Sequence, residues 1–137
     1  AVPAYVGIPV THRLAGSSVT FVTGHEGIDK RRPSVNWRAL ANATDGLVIY
    51  MGLHNLQYLV DELIAGGLDP KTTSAVIQQG TVIGQRYVKA SLNKLVLEVD
   101  KLGIGSPSIV MIGAVVDYQV EACAPSPANV RMPIFFE

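Results

Sequence analysis

Apolar positions along the chain follow two alternating periods, one typical of strands and one typical of helices. The continuous apolar run Leu47–Met51 predicts a strand buried on both faces. Between Leu56 and Ile64, apolar residues recur at helical spacing, with Asp61 on the opposite face. The same reasoning predicts further strands at Ser17–Gly24, Ser74–Gln78, Gln85–Ala90 and within Pro107–Val116, and helices from Ser34 through Leu40 and over Leu92–Leu102. Alternating strands and helices indicate an α/β fold, a five-stranded mixed sheet with helices on both faces.

The 137 residues suffice for one domain of this kind. Residues 1–16 are rich in glycine, proline and small side chains, and predict an irregular N-terminal segment. Three prolines at positions 125, 127 and 133 make regular structure unfavourable near the C-terminus. The sequence therefore predicts an α/β domain over residues 1–118 and a proline-rich tail over 119–137.

Composition and charge exclude several classes of protein. Hydrophobic residues make up 48% of the chain and charged residues 16%, which excludes intrinsic disorder. The longest apolar run, Ile109–Val116, is too short to cross a membrane. The net charge of zero argues against nucleic-acid binding by the whole chain. A single cysteine, Cys123, allows no internal disulfide and favours a reducing, cytoplasmic setting.

The charge is nevertheless unevenly distributed. Residues 1–38 carry a net charge of +3 and residues 39–137 a net charge of −3. The basic first quarter could face an anionic ligand. For its most concentrated part, Lys30–Arg32, a solvated loop is the simpler interpretation.

Templates for nucleophilic and metal chemistry find little support. The chain contains no G-x-S-x-G motif, and its three histidines, His12, His25 and His54, lack the i, i+4 spacing of paired metal ligands. His25 and Glu26 are either a ligand pair or, more commonly, the cap of a loop. We therefore expect no metal site.

Three places are candidate binding positions. Arg13, in the Thr11-His12-Arg13 sequence, could hold a carboxylate through two parallel hydrogen bonds, or be an ordinary surface arginine. Met51 lies where one predicted strand ends and Gly80 follows another, and ligands of α/β sheets gather at such strand ends. The alternatives are a core methionine and a turn glycine. Because both residues belong to one edge of the predicted sheet, a shared pocket is favoured.

These same residues carry a family resemblance. The segment Ala4–Arg13 reads A-Y-V-G-I-P-V-T-H-R and Ser18–His25 reads S-V-T-F-V-T-G-H. Both are similar to segments of the uroporphyrinogen-III C-methyltransferases, a branch of the tetrapyrrole methylase family. Further family motifs follow in order at Tyr50–Leu53, Gln79–Thr81, Gln85–Arg86 and Ser106–Pro107. The resemblance extends from the start of the chain to about Val116.

The resemblance implies a fold and a chemistry. Members of the family have two α/β domains with S-adenosylmethionine between them, and they act as homodimers. They transfer methyl groups to C2 and C7 of uroporphyrinogen III, giving precorrin-2 for sirohaem and cobalamin synthesis. By this resemblance Met51, Gly80 and Thr81 are cofactor-binding, and Arg13 with His12 is substrate-binding, since the substrate carries carboxylates.

The resemblance covers only the C-terminal domain of that family. The glycine- and proline-rich cofactor loop and the carboxylate usually assigned as the base belong to an N-terminal domain that this sequence does not contain. We therefore expect a partial site with no catalytic residue in this chain. Two other interpretations stay open: a sister precorrin methylase of the corrin pathway, and a non-catalytic binding or dimerisation module.

Overall fold

A computed structural model describes residues 1–24 and 35–120. The strands are β1 (Val19–Thr23), β2 (Gly46–Tyr50), β3 (Thr73–Gln78), β4 (Arg86–Ser91) and β5 (Ser108–Ile112). The helices are α1 (Val2–Tyr5), α2 (Trp37–Ala43), α3 (Leu56–Ala65) and α4 (Leu95–Leu102). Short 3-10 turns lie at Leu53–Asn55, Leu92–Lys94 and Ala114–Tyr118. Each predicted strand and each of the longer predicted helices is present, with ends shifted by a few residues.

The five strands form one sheet in the order β1-β2-β5-β3-β4. Strands β1 and β2 are parallel, whereas β5 runs antiparallel to both β2 and β3, and β4 runs antiparallel to β3. The prediction of a mixed five-stranded sheet is confirmed. The carboxyl ends of β1, β2 and β3 consequently meet at one edge, which we call the carboxyl edge, together with the amino ends of β4 and β5.

The two faces of the sheet are covered differently. Helices α2, α3 and α4 pack on one face, where Leu47 and Ile49 of β2 contribute to the larger apolar core. On the other face, Val48 of β2 packs against Val6 and Ile8 of the N-terminal segment and against the 3-10 turn that follows β5. Helical elements thus lie on both faces, as predicted, but the second face has only α1 and a 3-10 turn.

The N-terminal segment, predicted to be irregular, crosses that second face from one edge of the sheet to the other. It starts in α1 near the carboxyl edge and reaches the opposite edge at a bridge between His12 and Gly16. Residues just after β5 hold it in place. The Gln119 side-chain amide donates to the Val6 carbonyl at 2.7 Å, and the Val120 amide donates to the Gly7 carbonyl at 2.9 Å.

Local chemistry explains several element boundaries. Asn36, through its side chain, accepts from the Ala39 amide and caps α2. Ser34, the cap predicted from sequence, lies outside the described residues. Gly103 ends α4 with a left-handed φ of +61°. Gly113 ends β5 with a φ of +143°, so the apolar run to Val116 continues as a 3-10 turn rather than a strand.

An ion pair joins two helices on the larger face. The Arg38 guanidinium donates two hydrogen bonds of 2.9 Å to the Glu62 carboxylate, which links α2 to α3. The hydrogen bond from Arg38 lowers the pKa of Glu62. Both groups are solvent-accessible, so we assign this pair a modest contribution to stability.

Several sequence-based predictions lie outside the described residues. They are the proline-rich tail beyond position 120, the basic cluster Lys30–Arg32 and the pair His25–Glu26. Within residues 1–24 and 35–120, no helix is long and apolar enough to cross a membrane. The same residues contain no group of three histidine, cysteine or acidic side chains placed to hold a metal ion.

Candidate functional site

A cavity of about 500 Å³ opens at the carboxyl edge of the sheet. Its walls come from the N-terminal segment, from the ends of β2 and β3, and from the start of β5. The lining residues are Val2, Tyr50, Met51, Leu53, His54, Ile77, Gly80, Ser106, Pro107, Ser108 and Ile109. The topology thus places one concave surface where the carboxyl ends of strands meet.

Met51 and Gly80 both line this cavity. Met51 directly follows β2 and is 62% exposed, so it is not a core methionine. Gly80 lies two residues beyond β3 and touches the N-terminal segment, because a Cβ at this position would collide with the Val2 side chain. The structure brings the two residues to the same wall, and their role as cofactor contacts remains a prediction.

The backbone around the cavity is strained. Among the described residues, left-handed φ angles occur at three positions that are not glycine: +52° at Met51, +49° at Gln79 and +73° at Thr81. All three lie at the carboxyl edge. Such conformations cost about 1–3 kcal/mol each and concentrate at functional sites, and the β-branched Thr81 is the most unusual of them. The strain supports a binding role for this edge.

Hydrogen bonds fix this strained turn. The main-chain amide of Gln79 donates to the Pro107 carbonyl at 2.9 Å, which ties the end of β3 to the loop before β5. The Thr81 amide donates to the Gln85 side-chain oxygen at 2.8 Å. Thr81, a predicted cofactor contact, is thereby held beside the cavity but is not among its lining residues.

The cavity wall is mostly apolar. No carboxylate, lysine or arginine of the described residues lines it, and its titratable side chains are those of Tyr50 and His54. An apolar wall with a few polar groups suits a flat, uncharged moiety better than an ionic one. Val2 and His54 were not among the predicted site residues, because Val2 is remote in sequence and His54 belongs to no recognisable motif.

The structure places His12 and Arg13 at the opposite edge of the sheet. The His12 ring stacks on Tyr118 with ring centroids 3.9 Å apart, and its Nδ1 accepts from the Leu14 amide at 3.2 Å. Arg13 lies in the turn between His12 and Gly16, with its side chain exposed. Gly16 packs against Asp45, since a Cβ added to Gly16 would touch the Asp45 side chain. Asp45 precedes β2 and Met51 follows it, so the turn at Gly16 and the cavity lie at opposite ends of that strand.

Strand β2 separates Asp45 from Met51, a distance of roughly 20 Å at about 3.3 Å per residue. His12 and Arg13 are therefore not brought to the cavity. A role for Arg13 in holding substrate carboxylates remains a prediction, and it requires surfaces other than the cavity described here.

Asp45 organises the edge where Arg13 lies. Its carboxylate accepts hydrogen bonds from the Ser18 hydroxyl at 2.8 Å and from the Ser17 and Ser18 amides at 3.0 Å. The hydroxyl bond is the largest cause of a lowered pKa for Asp45. These bonds hold the N-terminal segment to the start of β2, so this cluster has an architectural role.

Comparisons with known proteins agree on one family. Residues 1–96 match the family model of the tetrapyrrole (corrin/porphyrin) methylases. A uroporphyrinogen-III C-methyltransferase of Synechocystis is 41% identical over 98% of this chain and 48% of its own length. A Bacillus subtilis protein of the same name is 44% identical over 86% of the chain and 46% of its own length. The chain thus spans about half the length of these relatives.

Solved structures give the same result. Uroporphyrin-III C-methyltransferase from Thermus thermophilus, complexed with S-adenosylhomocysteine, matches 81% of this chain and 48% of its own, with a TM-score of 0.67 and 26% identity. A cobalt-precorrin-4 methyltransferase matches with a TM-score of 0.75 at 17% identity, which concerns the fold alone.

Proposed function

Because this chain belongs to the tetrapyrrole methylases, we propose that it is the C-terminal half of an S-adenosylmethionine-dependent methyltransferase acting on uroporphyrinogen III. The reaction would place methyl groups at C2 and C7 and yield precorrin-2. Names of the relatives support the substrate, and they include proteins called siroheme synthase. The single cysteine, Cys123, is in keeping with a reducing, cytoplasmic setting for this activity.

The observation that carries the proposal is the cavity shared by Met51 and Gly80. These are the positions to which the family resemblance assigns cofactor contacts, and they come from separate strands. A volume of about 500 Å³ is in the range of small-molecule sites. The apolar wall, the flexible thioether of Met51 and the strained turn at Gln79–Thr81 fit an adenosine-containing cofactor.

The residues of this chain would bind and orient rather than react. When bound, S-adenosylmethionine supplies a methyl group on a positively charged sulfur. Main-chain carbonyls at strand ends carry partial negative charge and suit such a cation. The apolar side chains of Ile77, Pro107 and Ile109 exclude water from the wall, and exclusion strengthens every electrostatic contact inside.

The lining residues in the described parts of the chain include no carboxylate, and their titratable side chains are those of Tyr50 and His54. We infer that the proton-accepting group and most contacts to the substrate carboxylates belong to the remaining half of the enzyme. The exposed Arg13 lies at the other end of β2 from Met51 and would meet substrate only through that half or a second subunit.

A binding measurement tests the proposal. Calorimetric titration of the protein with S-adenosylhomocysteine should show a single site, and Met51→Asp should weaken binding at least tenfold because the bound ligand would enclose a carboxylate in a mostly apolar wall. Leu97→Asp is the matched control, since Leu97 is 65% exposed on α4 and does not line the cavity. Equal loss in both variants, or absence of binding both by this chain and by the chain joined to the N-terminal half of the Synechocystis relative, would overturn the proposal.

A further inference from the structure

Ser108 combines a place in the cavity wall with a hydroxyl that has no partner. It is the first residue of β5 and lines the cavity. Its Oγ is buried and makes no hydrogen bond. A buried hydroxyl without a partner is unfavourable by about 1–3 kcal/mol and is uncommon in folded proteins. This position therefore needs an explanation.

The neighbouring strand position does not satisfy the hydroxyl. Ser108 is in register with Gln78, the last residue of β3. The Gln78 Oε1 is likewise buried without a partner. By contrast Ser74, on the same strand as Gln78, donates its hydroxyl to the Ala90 carbonyl at 2.8 Å. Three buried side-chain atoms of the described residues lack a partner: two belong to this cross-strand pair at the carboxyl edge, and the third is the Trp37 indole nitrogen of α2. The serine at the far end of β3 is paired.

We propose that Ser108 is a specificity-determining residue of the cavity, whose hydroxyl turns about χ1 and hydrogen-bonds a neutral polar group of the bound ligand. The serine side chain has three staggered rotamers. Because the Ser108 hydroxyl makes no hydrogen bond, a change of rotamer would break none. The bond then exists only in the complex. This inference rests on the proposed function, because that function supplies the ligand.

The chemistry of the wall indicates which part of the ligand is involved. No lysine, arginine or carboxylate of the described residues lines the cavity, so the charged amino-acid end of the cofactor would have no partner there. A ribose hydroxyl or a ring nitrogen of the nucleoside is neutral, and it can accept from or donate to a serine hydroxyl. The nucleoside is therefore the part that Ser108 recognises.

Titration of the protein and of Ser108→Ala with two ligands tests the proposal. The ligands are S-adenosylhomocysteine and 5′-methylthioadenosine, which keeps the nucleoside and lacks the amino-acid end. Ser108→Ala should raise the dissociation constant of both about 2- to 12-fold, the effect of one hydrogen bond. The melting temperature without ligand should stay unchanged or rise, because an unsatisfied hydroxyl has been removed.

Ser74→Ala is the matched control. It removes a satisfied hydroxyl, so it should lower the melting temperature and leave both dissociation constants unchanged. Unchanged affinity in Ser108→Ala, or a loss of affinity accompanied by a lower melting temperature, would overturn the role of Ser108 while leaving the proposed function intact. If neither the unaltered protein nor the chain joined to the N-terminal half of the Synechocystis relative binds either ligand, the proposed function itself fails.

Discussion

Gly80 shows how one position can serve both packing and binding. The sequence presents a glycine after a strand, and it suggests that the absent side chain leaves room for a ligand. In the structure the nearest neighbour of an added Cβ is Val2 of the same chain. The glycine therefore seats the N-terminal segment, and that segment in turn supplies one wall of the cavity.

We expect Gly80→Val to lower the melting temperature and to weaken S-adenosylhomocysteine binding at least tenfold. Adding Val2→Ala should restore the melting temperature, because it removes the methyl groups that collide. Affinity should stay low in the double variant, since the new valine still occupies cavity volume. Calorimetry gives both quantities, and recovery of affinity together with stability would show that Gly80 acts only through Val2.

The lowered pKa of Asp45, at the opposite edge of the sheet, predicts how the stability of the fold depends on pH. Hydrogen bonds from Ser18 and Ser17 lower its pKa from the usual 3.8, so the folded state favours the ionised carboxylate. This stabilisation is present above the pKa of the unfolded chain and is lost as pH falls through the lower folded value. Asp45→Asn should therefore lower the melting temperature at pH 7, by an amount that shrinks below about pH 4.

Ser18→Ala is the companion variant, because it removes the strongest donor and leaves the carboxylate in place. Its loss of melting temperature should show the same decline toward low pH. Thermal unfolding followed by circular dichroism between pH 3 and 7 provides the measurement. A deficit that stays constant over that range would contradict the assignment.

At the scale of elements, two glycines end neighbouring segments for different reasons. Gly103 ends α4 at a φ of +61°, and a Cβ added there would have no other atom within 4 Å. Gly113 ends β5 at a φ of +143°, and a Cβ there would lie 2.7 Å from the Asp45 carbonyl oxygen. Position 103 requires glycine only for its positive φ. Position 113 also requires the absence of a side chain, because the Asp45 carbonyl leaves no room for one.

Gly103→Ala should lower the free energy of unfolding by about 1–2 kcal/mol, because alanine is strained in the left-handed conformation. Gly113→Ala should lower it by about 1–3 kcal/mol more, because the methyl group also collides with the backbone before β2. Urea denaturation of both variants gives the comparison. Equal losses would show that β2 moves aside at no cost.

Hydrophobic periodicity predicted the elements because most of them bury one face or both. Leu47–Met51 and the helical spacing from Leu56 to Ile64 depend on local pattern alone, and both elements are present. The same pattern could not predict that β5 lies between β2 and β3, since strand order depends on contacts between remote residues. It also missed the burial of Val6 and Ile8, which a glycine- and proline-rich segment does not indicate.

The sequence likewise predicted one part of the candidate site and not the other. Met51 and Gly80 follow strands that end at one edge, so a rule about strand ends brings them together. Val2 and Arg13 depend on the path of the N-terminal segment across the sheet. That path places Val2 in the cavity and Arg13 at the far edge, and no local pattern encodes it.

At the scale of the whole molecule, exposed apolar side chains lie next to the cavity. Val82 and Ile83, in the turn after Gly80, are 49% and 67% exposed, and Met51 is 62% exposed. Exposed apolar groups of this size are common at surfaces that another domain or subunit covers. The chain also spans about half the length of its relatives.

We expect the protein to self-associate through this exposed apolar surface. Light scattering at increasing concentration should show a mass above 14.6 kDa. Replacing Val82 and Ile83 together by serine should reduce the association, and Leu97→Ser on α4 serves as the control. A monomer at every concentration would refute the prediction.

Folding and catalysis should separate in this chain. The apolar clusters of the described residues cover both faces of the sheet, so this part of the chain should fold cooperatively. Methyl transfer additionally needs cofactor and substrate held in line, and the cavity provides one wall for that purpose. Orientation contributes roughly 7–11 kcal/mol to comparable reactions, so a site with one wall should fall to the background rate.

The measurement is an anaerobic assay of the protein with S-adenosylmethionine and uroporphyrinogen III, beside the same chain joined to the N-terminal half of the Synechocystis relative, which is 41% identical over the shared part. The chain alone should give no precorrin-2, whereas the chimera should. The predicted contact between Arg13 and the substrate carboxylates adds a second expectation: Arg13→Ala should raise the KM of the chimera for uroporphyrinogen III. S-adenosylhomocysteine binding should stay unchanged, because Arg13 lies away from the cavity. Product formation by the chain alone at the rate of the chimera would show that the site is complete without the other half.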